Sequence, residues 1–191
     1  MEREPTVMLA MENYWREGVQ ALSINEVCRR TNLSKPSLYR EFGGEDGLLD
    51  AALECYGKVV IAPMIAGLDS ERSFAETLES MIDTLTAPRD APQGCLLVKM
   101  RGSPESLGTL AKARVDAMVH SLQEAYEALF LRARSLGEAR NDVTPRLAAR
   151  YLDTQVTTVL RQLGSGEEPD QVKAEARLSF AALLPGAASI S

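Results

Sequence analysis

The chain has 191 residues, 45% of them apolar and 25% charged, and carries a net charge of −6. That length holds one or two domains with a sizeable core, and the acidic balance excludes a protein that grips nucleic acid over its whole surface, so any such binding must rest on a local basic patch. No run of about 18 apolar residues offers a membrane span, and the polar start from Met1 to Pro5 is no secretory signal. Cys28, Cys55 and Cys95 are odd in number and widely spaced, which argues against structural zinc or a disulfide framework.

Taken in order, the elements read as an all-α chain of about nine helices. Val7, Met11, Tyr14 and Trp15 follow the helical period, with Gly18 as the stop. Ser23 to Glu26 matches a capping box, in which Ser23 accepts the N–H three residues on and Glu26 reaches back to the N–H of Ser23. Ile24, Val27, Cys28 and Thr31 line one face of the short helix that follows, and Asn32 tolerates the left-handed turn after it. Ser34 caps a third helix with Lys35 and Pro36 in its first turn, running through Leu38, Tyr39 and Phe42 to Gly43-Gly44. Glu45 and Asp46 open a fourth helix, which Pro63 is expected to kink or end.

Further on, Asp69-Ser70 precedes the stripe Phe74, Leu78, Met81, Ile82 and Leu85, and Pro88 and Pro92 mark a loop before the apolar run Cys95 to Met100. Ser103-Pro104-Glu105 reads as the start of the longest stripe, Leu107 to Ala133, which Gly137 stops. Thr144-Pro145 and Pro169-Asp170 open the last two helices, and the small polar tail to Ser191 is expected to fray. The change of scale after the short N-terminal helices suggests a head over residues 1–47 and a larger helical body over 48–191.

Two short capped helices joined by a three-residue turn form a helix-turn-helix arrangement. From Arg29 to Arg40 the chain holds Arg29, Arg30, Lys35 and Arg40 with no acid, a local +4 in an acidic protein. Ser34, Ser37 and Tyr39 add hydroxyls able to bind phosphate, while Leu33, Leu38 and Phe42 are expected to face inward. A solvated surface helix pair is the plain alternative.

The stretch Ser23 to Phe42, followed by Leu48-Leu49, resembles the signature of the TetR family of repressors. The likeness lies in the Ser-initiated helix, the short turn and the Leu38-Tyr39-x-x-Phe42 recognition helix. Tyr14-Trp15 and Gly18 sit where that family usually has Leu-Phe and a Gly. The resemblance implies a sequence-specific transcriptional regulator that binds double-stranded DNA at a palindromic operator and is released when a small molecule enters its C-terminal domain. It places Lys35, Pro36, Ser37 and Tyr39 toward DNA, with Ser34 at the cap and Asn25 at the start of the preceding helix. Lys35 is the candidate for a base edge, Pro36 for a thymine methyl, and Tyr39 and Arg40 for phosphates. Two residues depart from the pattern: Glu45 stands where the family commonly has a Lys, and Glu41 is acid at a position often used for phosphate. Over residues 1–50, six Lys and Arg stand against nine Asp and Glu, a net of −3. Weak non-specific binding is the expectation.

By the same resemblance the chain is a homodimer through its last two helices, with Tyr151, Leu152, Val156, Val159, Leu178, Phe180, Ala181 and Leu183 as interface candidates. An effector pocket is expected among Tyr56, Met81, Leu85, Cys95, Met100, Met118, His120 and Tyr126, methionines suiting an adaptable apolar cavity. Each of these residues also has a plain core reading. The alternative function is a TetR-like protein that acts through protein partners, or through redox sensing at Cys55 or Cys95, with weakened DNA binding. The sequence has one histidine and lacks the GxSxG, P-loop, GxGxxG and HExxH motifs, so an enzyme is not expected. No cofactor or metal is called for, no membrane is a partner, and the cytoplasm is the expected compartment.

Overall fold

The computed structural model describes residues 3–21, 23–69, 71–88, 92 and 94–186, and every regular element among them is helical. The chain begins with α1 (Arg3–Glu17), α2 (Ile24–Arg30), α3 (Lys35–Phe42) and α4 (Glu45–Tyr56). A π-helical turn, Gly57–Ile61, joins α4 to α5 (Ala62–Ala66) without a break. After them come α6 (Phe74–Thr86), α7 (Leu96–Gly102), a 3-10 turn at Pro104–Ser106, α8 (Thr109–Ser135), α9 (Pro145–Gly164) and α10 (Pro169–Ala181). With α4 to α5 taken as one continuous rod, the described residues form nine helices, the all-α architecture expected.

Several helix ends follow from local sequence. Ser34 accepts the N–H of Ser37 at 3.2 Å, and Thr144 accepts that of Leu147 at 3.3 Å. Each satisfies a first-turn donor that has no partner inside its helix. Asn32 takes the left-handed conformation at φ 54°, and Gly43 ends α3 at φ 74°.

Other ends differ from expectation. The capping box at Ser23 is half formed: Ser23 accepts the Glu26 N–H at 3.3 Å, but the Glu26 carboxylate turns to Arg29 and Arg30 instead of to Ser23. Charge-assisted bonds to two guanidiniums outweigh one to a neutral amide. A complete capping box closes at Ser73 and Glu76 and sets the start of α6; Ser70 and the tail from residue 187 lie outside the described residues. Pro63 neither ends nor interrupts the rod. A proline ring crowds the carbonyl four residues back, and the wider π turn just before α5 is where that crowding is absorbed. Ser103 makes no capping hydrogen bond, and α8 starts only at Thr109.

By packing, the chain divides into two compact units, Met1–Pro63 with Ala91–Val119, and Met64–Asp90 with His120–Ser191. In the first, α4 is central, with α1, α3 and α7 laid against it and α2 against α1 and α3. Its core is built on Ala10, Leu38, Leu48, Ala52, Leu53 and Leu96, none of which reaches solvent. Trp15 meets Tyr56 edge-on with centroids 5.0 Å apart, and its Nε1 donates to the Gly94 carbonyl at 3.2 Å. In the second unit α6, α9 and α10 pack on one another. Phe74 and Phe130 meet edge-on at 5.9 Å, and Leu152, Val172 and Phe180 fill the centre. Lys173 reaches Asp83 at 2.5 Å and Arg177 pairs with Glu79, fastening α10 to α6.

Candidate nucleic-acid interface

The pair α2–α3 is held from inside and decorated outside. Val27, Cys28, Leu33, Leu38 and Phe42 are buried. Asn25, Ser34, Lys35, Pro36, Tyr39 and Arg40 are exposed and Ser37 is half-buried, so the side chains expected to face DNA are open to solvent. Tyr39 is the plainest case: a large aromatic with 57% of its surface free has no core role. The Ser34 hydroxyl donates to Ser37 Oγ at 2.9 Å, which fixes two hydroxyls side by side in the first turn of α3.

The charge pattern differs from the simple +4 of the sequence. Arg29 donates to both Glu26 oxygens, at 2.9 and 2.7 Å, and Arg30 donates to Glu26 at 2.6 Å. Arg30 also pairs with Glu17 and reaches Asn13 Oδ1 at 3.3 Å. Hydrogen bonds from Arg29 and then Arg30 hold the Glu26 carboxyl at about 2, against an ordinary 4.5. Lys35 and Arg40 are left as the cations of this stretch without an ion pair among the described residues. The sequence carried a signal for this, since Glu26 stands three and four residues before the two arginines, the spacing of neighbours on a helix. Nothing local signals a second pair: Glu41 lies 3.4 Å from Arg3, whose guanidinium also sits 5.3 Å over the Phe42 ring. Glu45 is exposed at the positive end of α4.

Behind this face, α3 and α4 meet very closely. A Cβ on Gly47 would be driven into the carbonyl oxygen of Phe42, the last residue of α3. Asp46, beside Gly47, accepts the N–H groups of Leu110 and Ala111 at 2.8 and 3.0 Å. Two further ties secure α1 and the turn after it to the segment after residue 94: Lys99 Nζ donates to the carbonyls of Trp15 at 2.5 Å and Arg16 at 3.2 Å, and Gln20 donates to Ser106 Oγ at 2.8 Å. A cleft of about 200 Å³ opens among Tyr14, Ile24, Val27, Asp46, Leu49 and Gly108.

The candidate effector residues divide between the two units. Tyr56, Cys95, Met100 and Met118 are buried in the first, where the Tyr56 hydroxyl donates to Cys95 Sγ at 3.1 Å; Met81, Leu85 and Tyr126 are buried in the second. His120 stands apart from these buried candidates. It is exposed on α8 with its Nε2 3.2 Å from Glu124, an i,i+4 pair.

For the dimer candidates, Leu152, Val156, Val159, Phe180 and Leu183 are buried within their own unit, where they serve as core, and Tyr151 donates its hydroxyl to the Ser179 carbonyl at 2.8 Å. Leu178, at 78% exposure, and Ala181 stand free on α10. Burial pushes the Cys28 and Cys55 thiols up, away from reactive thiolate. Lys99, the cation nearest in sequence to Cys95, directs its ammonium to the α1 carbonyls. Among the described residues no group of His, Cys, Asp and Glu is arranged to hold a metal, and no helix is long and apolar enough to cross a membrane.

A capped helix pair whose second helix keeps Leu38 and Phe42 buried and its polar residues exposed is the helix-turn-helix arrangement of DNA-binding proteins. Residues 9–52 match the family model for bacterial regulatory proteins, tetR family. The chain is 27% identical over 158 residues to the HTH-type transcriptional repressor ComR of Escherichia coli (strain K12), covering 79% of this chain and 72% of that protein. Among solved structures, it is similar to the TetR family transcriptional regulator CifR, a cysteine mutant complexed with 26-bp double-strand operator DNA. That match has 20% identity and TM-score 0.82 over 96% of this chain and 97% of the other. The reduced form of NemR from E. coli matches at 15% identity and TM-score 0.83, over 98% and 99% of the two chains. The segment 9–52 is thus similar to the helix-turn-helix of bacterial regulatory proteins of the tetR family, and the rest of the chain shares the helical fold of the solved structures it resembles.

Proposed function

We propose that this protein is a repressor that binds a palindromic operator as a homodimer and leaves it when a small molecule occupies the helical body. The supporting observation is the two-sidedness of α2–α3, with Leu38 fully buried while Asn25, Ser34, Lys35, Pro36, Tyr39 and Arg40 are all exposed. In this reading Lys35 meets a base edge, Pro36 a thymine methyl, and Ser34, Ser37, Tyr39 and Arg40 grip the backbone. Residues 1–47 act as the reading head and 48–191 as the body.

One head offers too little surface for tight specific binding, and a dimer supplies a second one about 34–36 Å away or a multiple of it. Leu178 and Ala181, the interface candidates left exposed, supply an apolar contact surface for the second copy. In this reading the effector is an uncharged, largely apolar molecule, since the buried candidates of either unit, Tyr56, Cys95, Met100 and Met118 in one and Met81, Leu85 and Tyr126 in the other, include no basic residue. Selection of bound duplexes from random DNA by the full chain tests the reading. Enrichment of a palindrome is the expected result; a motif without dyad symmetry refutes the dimer, and no enrichment refutes operator binding.

A further inference from the structure

Helix α8 starts without a cap from its own neighbourhood. Gly108 precedes it and has no side chain to offer, and Ser103 makes no capping hydrogen bond. The first-turn N–H groups of a helix need acceptors, and here Asp46 provides them from α4. Its Oδ2 accepts from Leu110 at 2.8 Å and its Oδ1 from Ala111 at 3.0 Å. A side chain on Gly108 would occupy the carboxylate's place. One turn further along the same face of α4, Asp50 Oδ1 accepts from Arg114 Nε at 2.8 Å. The other side of the Asp46 backbone leads straight to the recognition helix, because Gly47 is set hard against the Phe42 carbonyl.

We infer that Asp46 is a positioning residue for DNA recognition: by holding the first turn of α8 it fixes the start of α4, and with it the angle at which α3 presents Lys35 and Tyr39. The inference rests on the operator-binding reading. Asp46 also lines the 200 Å³ cleft beside Ile24, Val27 and Leu49. The carboxylate thus borders open space into which it could turn, so the tie, closed here, is one that can in principle open. If the closed arrangement suits the operator, linkage requires the operator to favour it in return.

The test uses the full chain, the duplex obtained by selection, and a scrambled duplex of equal length. Hydrogen exchange at the Leu110 and Ala111 amides is measured with and without the operator, and binding of both duplexes is measured for wild type, Asp46→Ala and Asp46→Asn. The operator is expected to slow exchange at these two amides in the wild type. Asp46→Ala is expected to weaken operator binding by about tenfold, the scale of a lost helix cap, and to leave the scrambled duplex unaffected, since no phosphate contact is removed. Asp46→Asn, which keeps an acceptor oxygen, is expected to recover part of the loss. Exchange indifferent to the operator overturns the inference even if the Ala variant fails to fold; so does a variant that loses both duplexes by the same factor or neither. A wild-type chain that selects no duplex overturns the operator-binding reading and this inference with it, an outcome distinct from the others because those require binding.

Discussion

Glu26 sets the charge that the helix pair presents. It takes two guanidiniums that would otherwise be free to release counterions from a DNA backbone. Its carboxyl is held far below the ordinary range by those same hydrogen bonds. A depressed carboxyl contributes fully above its unfolded value and is lost only as pH falls toward the folded one. The pairing is therefore complete at neutral pH and dissolves between about 4.5 and about 2. Glu26→Gln is expected to free Arg29 in particular, steepening the slope of log affinity against log salt by about one for each arginine that then reaches a phosphate. A salt titration of a random duplex checks this, and an unchanged slope would mean that neither arginine reaches DNA.

At the scale of elements, the helix ends show how much was legible beforehand. Ser34 and Thr144 could be read because a cap and the N–H it accepts lie within four residues of each other. The start of α8 could not, since its acceptor is Asp46, 64 positions away from Leu110 along the chain, while a strong local signal at Ser103-Pro104-Glu105 pointed elsewhere. The face of α3 was legible for the same local reason: Leu38 and Phe42 are four apart and turn inward together. The neutralisation of Arg29 and Arg30 was written in the i−3 and i−4 spacing of Glu26, but the Arg3–Glu41 pair depends on tertiary packing and leaves no trace in local pattern. The α3–α4 joint carries an expectation of its own. Gly47→Ala places a methyl against backbone, which cannot move aside as a side chain can, so a loss of about 1–3 kcal/mol is expected. Chemical denaturation measures it, and a variant as stable as the wild type would show that the joint has slack.

For the molecule as a whole, acid is the weak side. Glu79 and Asp83 on α6 are held below the ordinary carboxylate range by Arg177 and Lys173 on α10, and Glu54 is lowered likewise by Lys58. Each contribution is present above the unfolded pKa and lost as pH falls through the folded one. Stability is thus expected to fall on acidification below about pH 4.5, with these exposed pairs contributing modestly. The double variant Glu79→Gln, Asp83→Asn should show a smaller drop in Tm between pH 5 and pH 3 than the wild type in thermal scans. Equal drops would place the acid sensitivity elsewhere. The dimer candidates also separate at this scale: periodicity marks an apolar stripe but not which side of the subunit it faces, and only the folded chain tells the core residues Val156 and Phe180 from the free Leu178.

The arginines engaged by Glu26 have a consequence for how such a molecule finds its site in a genome. Sliding along random sequence is driven by sequence-independent attraction to the backbone, and competing sites number in the millions. A head that contributes few free cations skids less and spends more of its search in free diffusion. On the proposed operator-binding reading, few copies are then held on the rest of the chromosome, and a molecule that leaves its site drifts away instead of lingering nearby.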